Sequence, residues 1–203
     1  MAIIKEIYMH DPNHRVIQET VKVLSNGGIV CYPTDTIYGL GIDLSQKKAI
    51  NKVLKLKKKT KFPLSFICHD FSMVSEYAQI SNHAFKIMKR CLPGAFTFVL
   101  PATRKVPDLM IHRQHTVGIR VPDCRFCIEV VEQLGHPVLS TSIPAEEDEI
   151  LNDVYEIDQR YGKQVDLIVD GGRLFAEPST VVSLLNDEIE ILREGKGDVN
   201  LLY

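Results

Sequence analysis

The spacing of apolar and polar positions changes repeatedly along the chain, from the two-residue period of strands to the wider period of helices. Residues 2–9 read as a strand. Residues 14–25 place Val16, Ile17, Val21 and Leu24 on one helical stripe, and Asn26-Gly27-Gly28 stops the helix. Residues 29–32 form a short buried strand ended by Pro33. Ser45 is the expected cap of a helix reaching Lys59, with Ala49, Ile50, Val53 and Leu54 inward. Residues 64–68 are strand-like, and Asp70 and Ser81 are expected to cap two further helices. Pro93-Gly94 turns the chain into a strand at 95–100, and another follows at 116–121. Asp123 is the expected cap of a helix ending near Gly135, followed by a strand at 137–141 and a helix at 152–160. A strand at 166–170 closes on Gly171-Gly172, and 180–185 and 188–193 pair as a hairpin around Asn186-Asp187. The pattern mixes βαβ units with adjacent strands. It predicts one α/β domain over residues 1–203, a mixed sheet flanked by helices.

Composition supports an ordinary globular core, with 45% hydrophobic and 25% charged residues among 203. The net charge of −2 conceals a segregated pattern. Lys52, Lys55, Lys57, Lys58, Lys59 and Lys61 crowd one window, and Glu146, Glu147, Asp148 and Glu149 another. A near-neutral chain can therefore carry a strong local positive field, and a cleft would focus it. Five scattered cysteines, an odd number, read as reduced core residues rather than a disulfide framework. The opening MAIIKEIYMH has neither the cationic start nor the apolar run of a signal peptide, and no stretch nears the roughly 20 apolar residues of a membrane span. A soluble, cytoplasmic protein is expected.

Three segments could carry chemistry. The first is 32–41, YPTDTIYGLG, where a buried strand meets a proline, alternating hydroxyls and two glycines that would let backbone approach a ligand. It reads equally as a tight turn whose threonines satisfy local backbone groups. It lacks the Gly-Lys-Ser/Thr ending of a Walker A loop. The second is Lys57, four residues after Val53 and three after Leu54, hence on the apolar stripe. A lysine aimed inward needs an anion, for which a ligand phosphate is a candidate; snorkelling from a frayed helix end is the alternative. The third is TVGIRVP at 116–122, where Arg120 ends a strand and could grip a carboxylate or phosphate with two parallel bonds, or serve a structural salt bridge. Ser140-Thr141-Ser142, Ser179-Thr180 and Arg193 complete the set. Cys124-Arg125-Phe126-Cys127 has no second cysteine pair, His112 and His115 lack a third ligand, and Asp166 and Asp170 suit sheet capping, so no metal site is expected.

In order, these segments resemble the YrdC-like family of threonylcarbamoyl-AMP synthases and their YciO-type relatives: Gly27-Gly28-Ile29-Val30 into YPTDTIYGLG, the KxK of Lys57 and Lys59, Pro93-Gly94 with Phe96-Thr97-Phe98, TVGIRVP, STS, Asp170-Gly171-Gly172, Pro178-Ser179-Thr180, and Ile191 through Gly195. The resemblance runs from about residue 13 to 198. It implies an open, twisted α/β fold with a large cationic cavity. It further implies synthesis of threonylcarbamoyl-AMP and pyrophosphate from L-threonine, bicarbonate and ATP, the product serving modification of a tRNA adenosine. Carried over by motif, Lys57 and Lys59 meet the ATP phosphates, with Thr116, Ser142 and Arg193 also on the nucleotide. Thr34, Thr36, Tyr38, Arg120, Ser140 and Ser179 surround the threonine. Lys57, Lys59 and Arg120 are the expected catalytic groups. Mg²⁺ arrives with ATP, and no tightly bound cofactor is implied.

Two departures point to the YciO-type branch. The family's KxR-Pro is here Lys57-Lys58-Lys59-Thr60, which keeps charge but loses the planar fork. The synthase SxN is Ser142-Ile143-Pro144, which lacks the amide that both donates and accepts. With an end at Tyr203 the chain is expected to lack the extra C-terminal domain of longer synthases. The rival expectation is a YciO-type paralogue that binds double-stranded RNA, tRNA or a nucleotide without synthase activity. Against RNA, no aromatics interleave the lysines for base stacking.

Overall fold

In the computed structural model of the chain, residues 2–56, 64–107, 115–144, 149–174 and 177–203 are described. The first half contains β1 (Ile3–Glu6), α1 (His14–Ser25), β2 (Val30–Tyr32), β3 (Gly39–Asp43), α2 (Lys47–Leu56), β4 (Ser65–Ile67), α3 (Phe71–Tyr77) and α4 (Asn82–Cys91). The second contains β5 (Phe96–Pro101), β6 (Thr116–Arg120), α5 (Arg125–Leu134), β7 (Val138–Ser142), α6 (Val154–Tyr161), β8 (Leu167–Asp170), β9 (Thr180–Ser183) and β10 (Glu190–Arg193). The ten strands form one sheet in the order β1-β8-β2-β3-β7-β4-β6-β5-β9-β10. Parallel pairs such as β2/β8 and β4/β6 alternate with antiparallel ones such as β2/β3 and β4/β7. The expected mixed sheet with flanking helices is therefore present.

Helix ends follow local chemistry. Asn13 accepts the N–H of Arg15 at 2.9 Å to start α1, and Gly27, with φ at +81°, ends it. Asp70 and Ser81 cap α3 and α4 as expected, accepting the N–H groups of Met73 at 2.8 Å and Ala84 at 3.0 Å. Two other expected caps are not formed. Ser45 donates its own N–H to Asp43 Oδ1 at 2.7 Å, and α2 begins later, at Lys47. Cys124, not Asp123, occupies the cap position of α5 and makes no side-chain cap bond, while the Asp123 N–H goes to Asp35 Oδ2 at 3.1 Å. In each place the expected cap residue instead donates its own N–H to a carboxylate, Asp43 two residues earlier and Asp35 in the β2–β3 loop.

Strand β3 was not foreseen, because its two glycines carry no side-chain period to read. All five of its residues are buried. A Cβ on Gly41 would lie 2.6 Å from Tyr32 Cε1, so the missing side chain admits the Tyr32 ring rather than a ligand. That ring is tethered, since its hydroxyl donates to Ser140 Oγ at 2.7 Å. The expectation that both glycines serve a ligand is thereby corrected for Gly41.

One continuous apolar cluster joins α1, α5 and the sheet, with Phe66, Phe96, Phe98 and Phe126 fully enclosed. All five cysteines are buried and unpaired. Asp166 accepts the Ile29 N–H at 2.8 Å and Asp170 that of Gly172 at 2.8 Å, so both cap backbone as expected. Among the described residues no helix is long and apolar enough to cross a membrane.

The crowding at Gly41 makes a direct prediction. Gly41→Ala lowers stability in urea denaturation by about 1–3 kcal/mol through overpacking. Gly118→Ala, whose added Cβ would meet only ordinary contacts from 3.4 Å outward, changes stability by about 0.5 kcal/mol or less.

Candidate functional site

A recess of about 310 Å³ opens where the β2–β3 connection meets β4, β5, β6, β7 and the β9–β10 hairpin. This volume falls within the range of small-molecule sites. Its described lining holds two guanidiniums, Arg120 and Arg193, many hydroxyls and no acidic side chain. Thr34, Thr36, Tyr38, Ser140, Ser142 and Ser179 all line it, so eight of the residues expected from sequence converge on one space. Thr116 does not. It is buried at the opposite end of β6 from Arg120, about 13 Å away over four residue steps at the rise of a strand. Lys57 and Lys59 lie outside the described residues.

The loop between β2 and β3 is organised by its own hydroxyls. Thr34 Oγ1 donates to the Ile37 carbonyl at 2.7 Å and accepts the Thr36 N–H at 3.1 Å. Its one proton is thus used, so in the 2.9 Å contact between the two hydroxyls Thr36 must be the donor. Both threonine protons are spent inside the loop. Tyr38, expected beside a ligand, has its hydroxyl occupied as well. It donates to the Gly172 carbonyl at 2.8 Å and accepts the Gly171 N–H at 3.0 Å. Burial also raises the pKa of this hydroxyl, so it stays a neutral donor. The Asp170-Gly171-Gly172 motif is therefore an anchor for Tyr38, with Gly172 at φ +81° making the turn.

Other hydroxyls at the recess keep donor capacity. Because Tyr32 donates to Ser140 Oγ, the Ser140 proton is left to point elsewhere. Ser179 Oγ accepts from Arg193 Nη2 at 3.3 Å and shares a proton with Thr97 Oγ1 at 2.8 Å. Arg193 is fixed by two further bonds to the Ser179 carbonyl, from Nε at 3.2 Å and Nη2 at 2.8 Å.

Arg120 is not the free fork that its sequence position suggested. Its Nη2 donates to Asp35 Oδ1 at 2.6 Å and to Thr36 Oγ1 at 3.2 Å. The Asp35 and Arg120 side chains are only 8% and 10% exposed. The salt bridge weighed as the alternative is present, in a residue that also lines the recess. Its Nε is buried with no partner among the described residues. Arg193 has a lowered pKa, first from burial and then from the like charge of Arg120, so the two guanidiniums feel one another. A space lined by two like-charged guanidiniums and several hydroxyls, with no acid among its described lining residues, is suited to an anion.

Sequence reasoning quoted Asp35 without giving it a role and did not single out Thr97. A buried arginine needs an acid, and Asp35 is the acid in the adjoining loop; that signal was available. Thr97 had no comparable signal, because only the β5/β9 pairing brings it beside Ser179.

Comparison with known proteins bears on the family and the fold. The family described as Telomere recombination, which unites Sua5, YciO and YrdC proteins, matches residues 22–195. The YciO protein of Escherichia coli is 38% identical over 197 residues, spanning 95% of this chain and 96% of that one. The crystal structure of E. coli YciO superposes with a TM-score of 0.95 at 35% identity, over 100% of both chains. The threonylcarbamoyl-AMP synthase of Idiomarina loihiensis is 31% identical over 170 residues, 80% of this chain and 90% of its own. P. abyssi Sua5 complexed with L-threonine has the same fold, with a TM-score of 0.87 at 24% identity over 96% of this chain and 58% of that one. On the family match and the near-full-length likeness to YciO, the chain belongs to the Sua5/YciO/YrdC family.

Proposed function

We propose that the recess binds L-threonine and the MgATP triphosphate side by side, and that the chain forms threonylcarbamoyl-AMP for tRNA modification. The observation that carries this reading is the convergence of Arg120 and Arg193 with donor hydroxyls on one recess that has no acid among its described lining residues. The synthase relative at 31% identity and the L-threonine held by P. abyssi Sua5 support the choice of substrates.

The threonine amine attacks carbon dioxide from bicarbonate and loses a proton, giving a carbamate. A carbamate oxygen then attacks the α-phosphorus of ATP, and the bond to pyrophosphate breaks. No covalent enzyme intermediate is needed, so the protein acts by proximity and charge stabilisation. Arg120 Nη1 contacts the threonine carboxylate from one side, with Ser140 as a second donor. Arg193 approaches the nucleotide, joined by Lys57 and Lys59 of the sequence pattern. Thr34, Thr36 and Tyr38 shape the loop around the threonine and do not bind through free protons, which are already committed. Mg²⁺ stays with the phosphates and its waters.

Pyrophosphate release from ATP is expected only when L-threonine and bicarbonate are both supplied, and omission of either returns it to background. Background release in the complete mixture, together with tight double-stranded RNA binding that weakens steeply with salt, would favour the RNA-binding reading. Within the lysine window, Lys57→Ala weakens ATP binding by about tenfold or more, as loss of a charge-assisted phosphate contact should. Lys52→Ala, on the exposed side of α2, leaves it within about twofold, as an exposed charge should. Equal losses in a calorimetric titration would contradict the inward placement of Lys57.

A further inference from the structure

We propose that Asp35 is a positioning residue that sets what Arg120 can recognise, holding its guanidinium to a one-point contact and limiting the positive charge of the recess. This rests on the reading of the recess as the substrate site and extends it to specificity.

Asp35 is held from three directions. Oδ1 accepts from Arg120 Nη2 at 2.6 Å, Oδ2 accepts the Asp123 N–H at 3.1 Å, and the main-chain carbonyl receives Lys196 Nζ at 2.5 Å. Those partners come from the end of β6, the start of α5 and the segment after β10. A carboxylate with both oxygens engaged and 8% of its side chain exposed is an anchor, not a proton acceptor for substrate.

The consequence for Arg120 follows from guanidinium geometry. A two-point grip on a carboxylate uses parallel N–H groups along one edge, Nη1 with Nη2 or Nε with Nη2. Both edges include Nη2, whose two hydrogens go to Asp35 and Thr36. Neither fork is therefore open to a guest. Nη1, which bonds to no described residue, can meet one oxygen in one direction. Such a contact orients a small carboxylate without capturing every anion that enters.

Charge leads to the same conclusion. The two guanidiniums less the Asp35 carboxylate leave a net charge of +1 among these three groups, and removal of the acid would make it +2. Arg193 already feels the like charge of Arg120 despite Asp35. Without Asp35, polyanions would bind more tightly and productive orientation would be lost.

The test uses the full chain as wild type, Asp35→Asn and Asp35→Glu. Inorganic pyrophosphate binding is measured by calorimetry, folding by thermal melting, and threonine-dependent turnover by pyrophosphate release. Asp35→Asn is expected to bind pyrophosphate about tenfold tighter, because a neighbouring negative charge is gone. Its kcat falls about a hundredfold, the cost of a misplaced contact group, with a smaller change in the KM for ATP. Asp35→Glu keeps the charge but moves it by one methylene, so pyrophosphate affinity stays within about twofold while kcat falls similarly. Equal or weaker pyrophosphate binding by Asp35→Asn at an unchanged melting temperature overturns the proposal, as does wild-type kcat in Asp35→Glu. A merely structural acid would instead weaken anion binding and lower the melting temperature in both variants. Should Asp35→Asn not fold, the Asp35→Glu comparison decides alone. If the wild type shows no threonine-dependent release, the synthase reading fails, and the pyrophosphate comparison still decides the role of Asp35.

Discussion

The buried guanidinium of Arg120 and that of the more exposed Arg193 repel each other across one small space, and the architecture around the recess answers that repulsion. Arg120 is reached by a carboxylate from the β2–β3 loop, and Arg193 is tied to the carbonyl and hydroxyl of Ser179. Neither arrangement fully cancels the charge, since Arg193 still has a depressed pKa owing partly to Arg120. Removing a cation such as Arg120 from water costs several kcal/mol unless it is paired and hydrogen-bonded. The residual imbalance is what an anionic guest would relieve.

The sheet makes this concentration of charge possible. Arg120 lies on β6, Ser140 on β7, Thr97 on β5 and Arg193 on β10, brought to one side of the sheet through the run β7-β4-β6-β5-β9-β10 of the strand order. The loop that contributes Asp35 is held by Tyr38 reaching the turn after β8. Behind it, the Tyr32 ring fills the gap left by Gly41 and donates a hydrogen bond from its hydroxyl to Ser140. Packing and polarity are thus set by the same side chains. A substitution chosen to alter the core at Gly41 would also disturb a donor in the recess.

Local signals in the sequence were legible where they were strong. Helix α1 has the limits its apolar stripe and glycine stop imply, and the hairpin turns at Asn186 and Asp187, both with positive φ. Eight expected site residues line one recess, because the motifs that carry them fall on strands and connections the sheet order gathers at one place. The failures are long-range in origin. Thr116 shares a motif with Arg120 yet points to the far end of the strand, and a motif does not state how far its residues lie apart in space. Asp123 looks like a helix cap, but its N–H answers to an acid 88 residues earlier in sequence. Strand β3 has too few side chains to display a period.

The position of Arg193 has one more consequence. It sits on β10, which pairs with β9 alone and forms the border of the sheet. Border strands lose their hydrogen bonds in smaller opening events than interior ones. Were β10 to peel away, it would carry Arg193 with it and leave Arg120 as the one guanidinium among the described lining residues. By mass action an anion held partly by Arg193 would slow amide exchange along β10, coupling occupancy to the firmness of that margin.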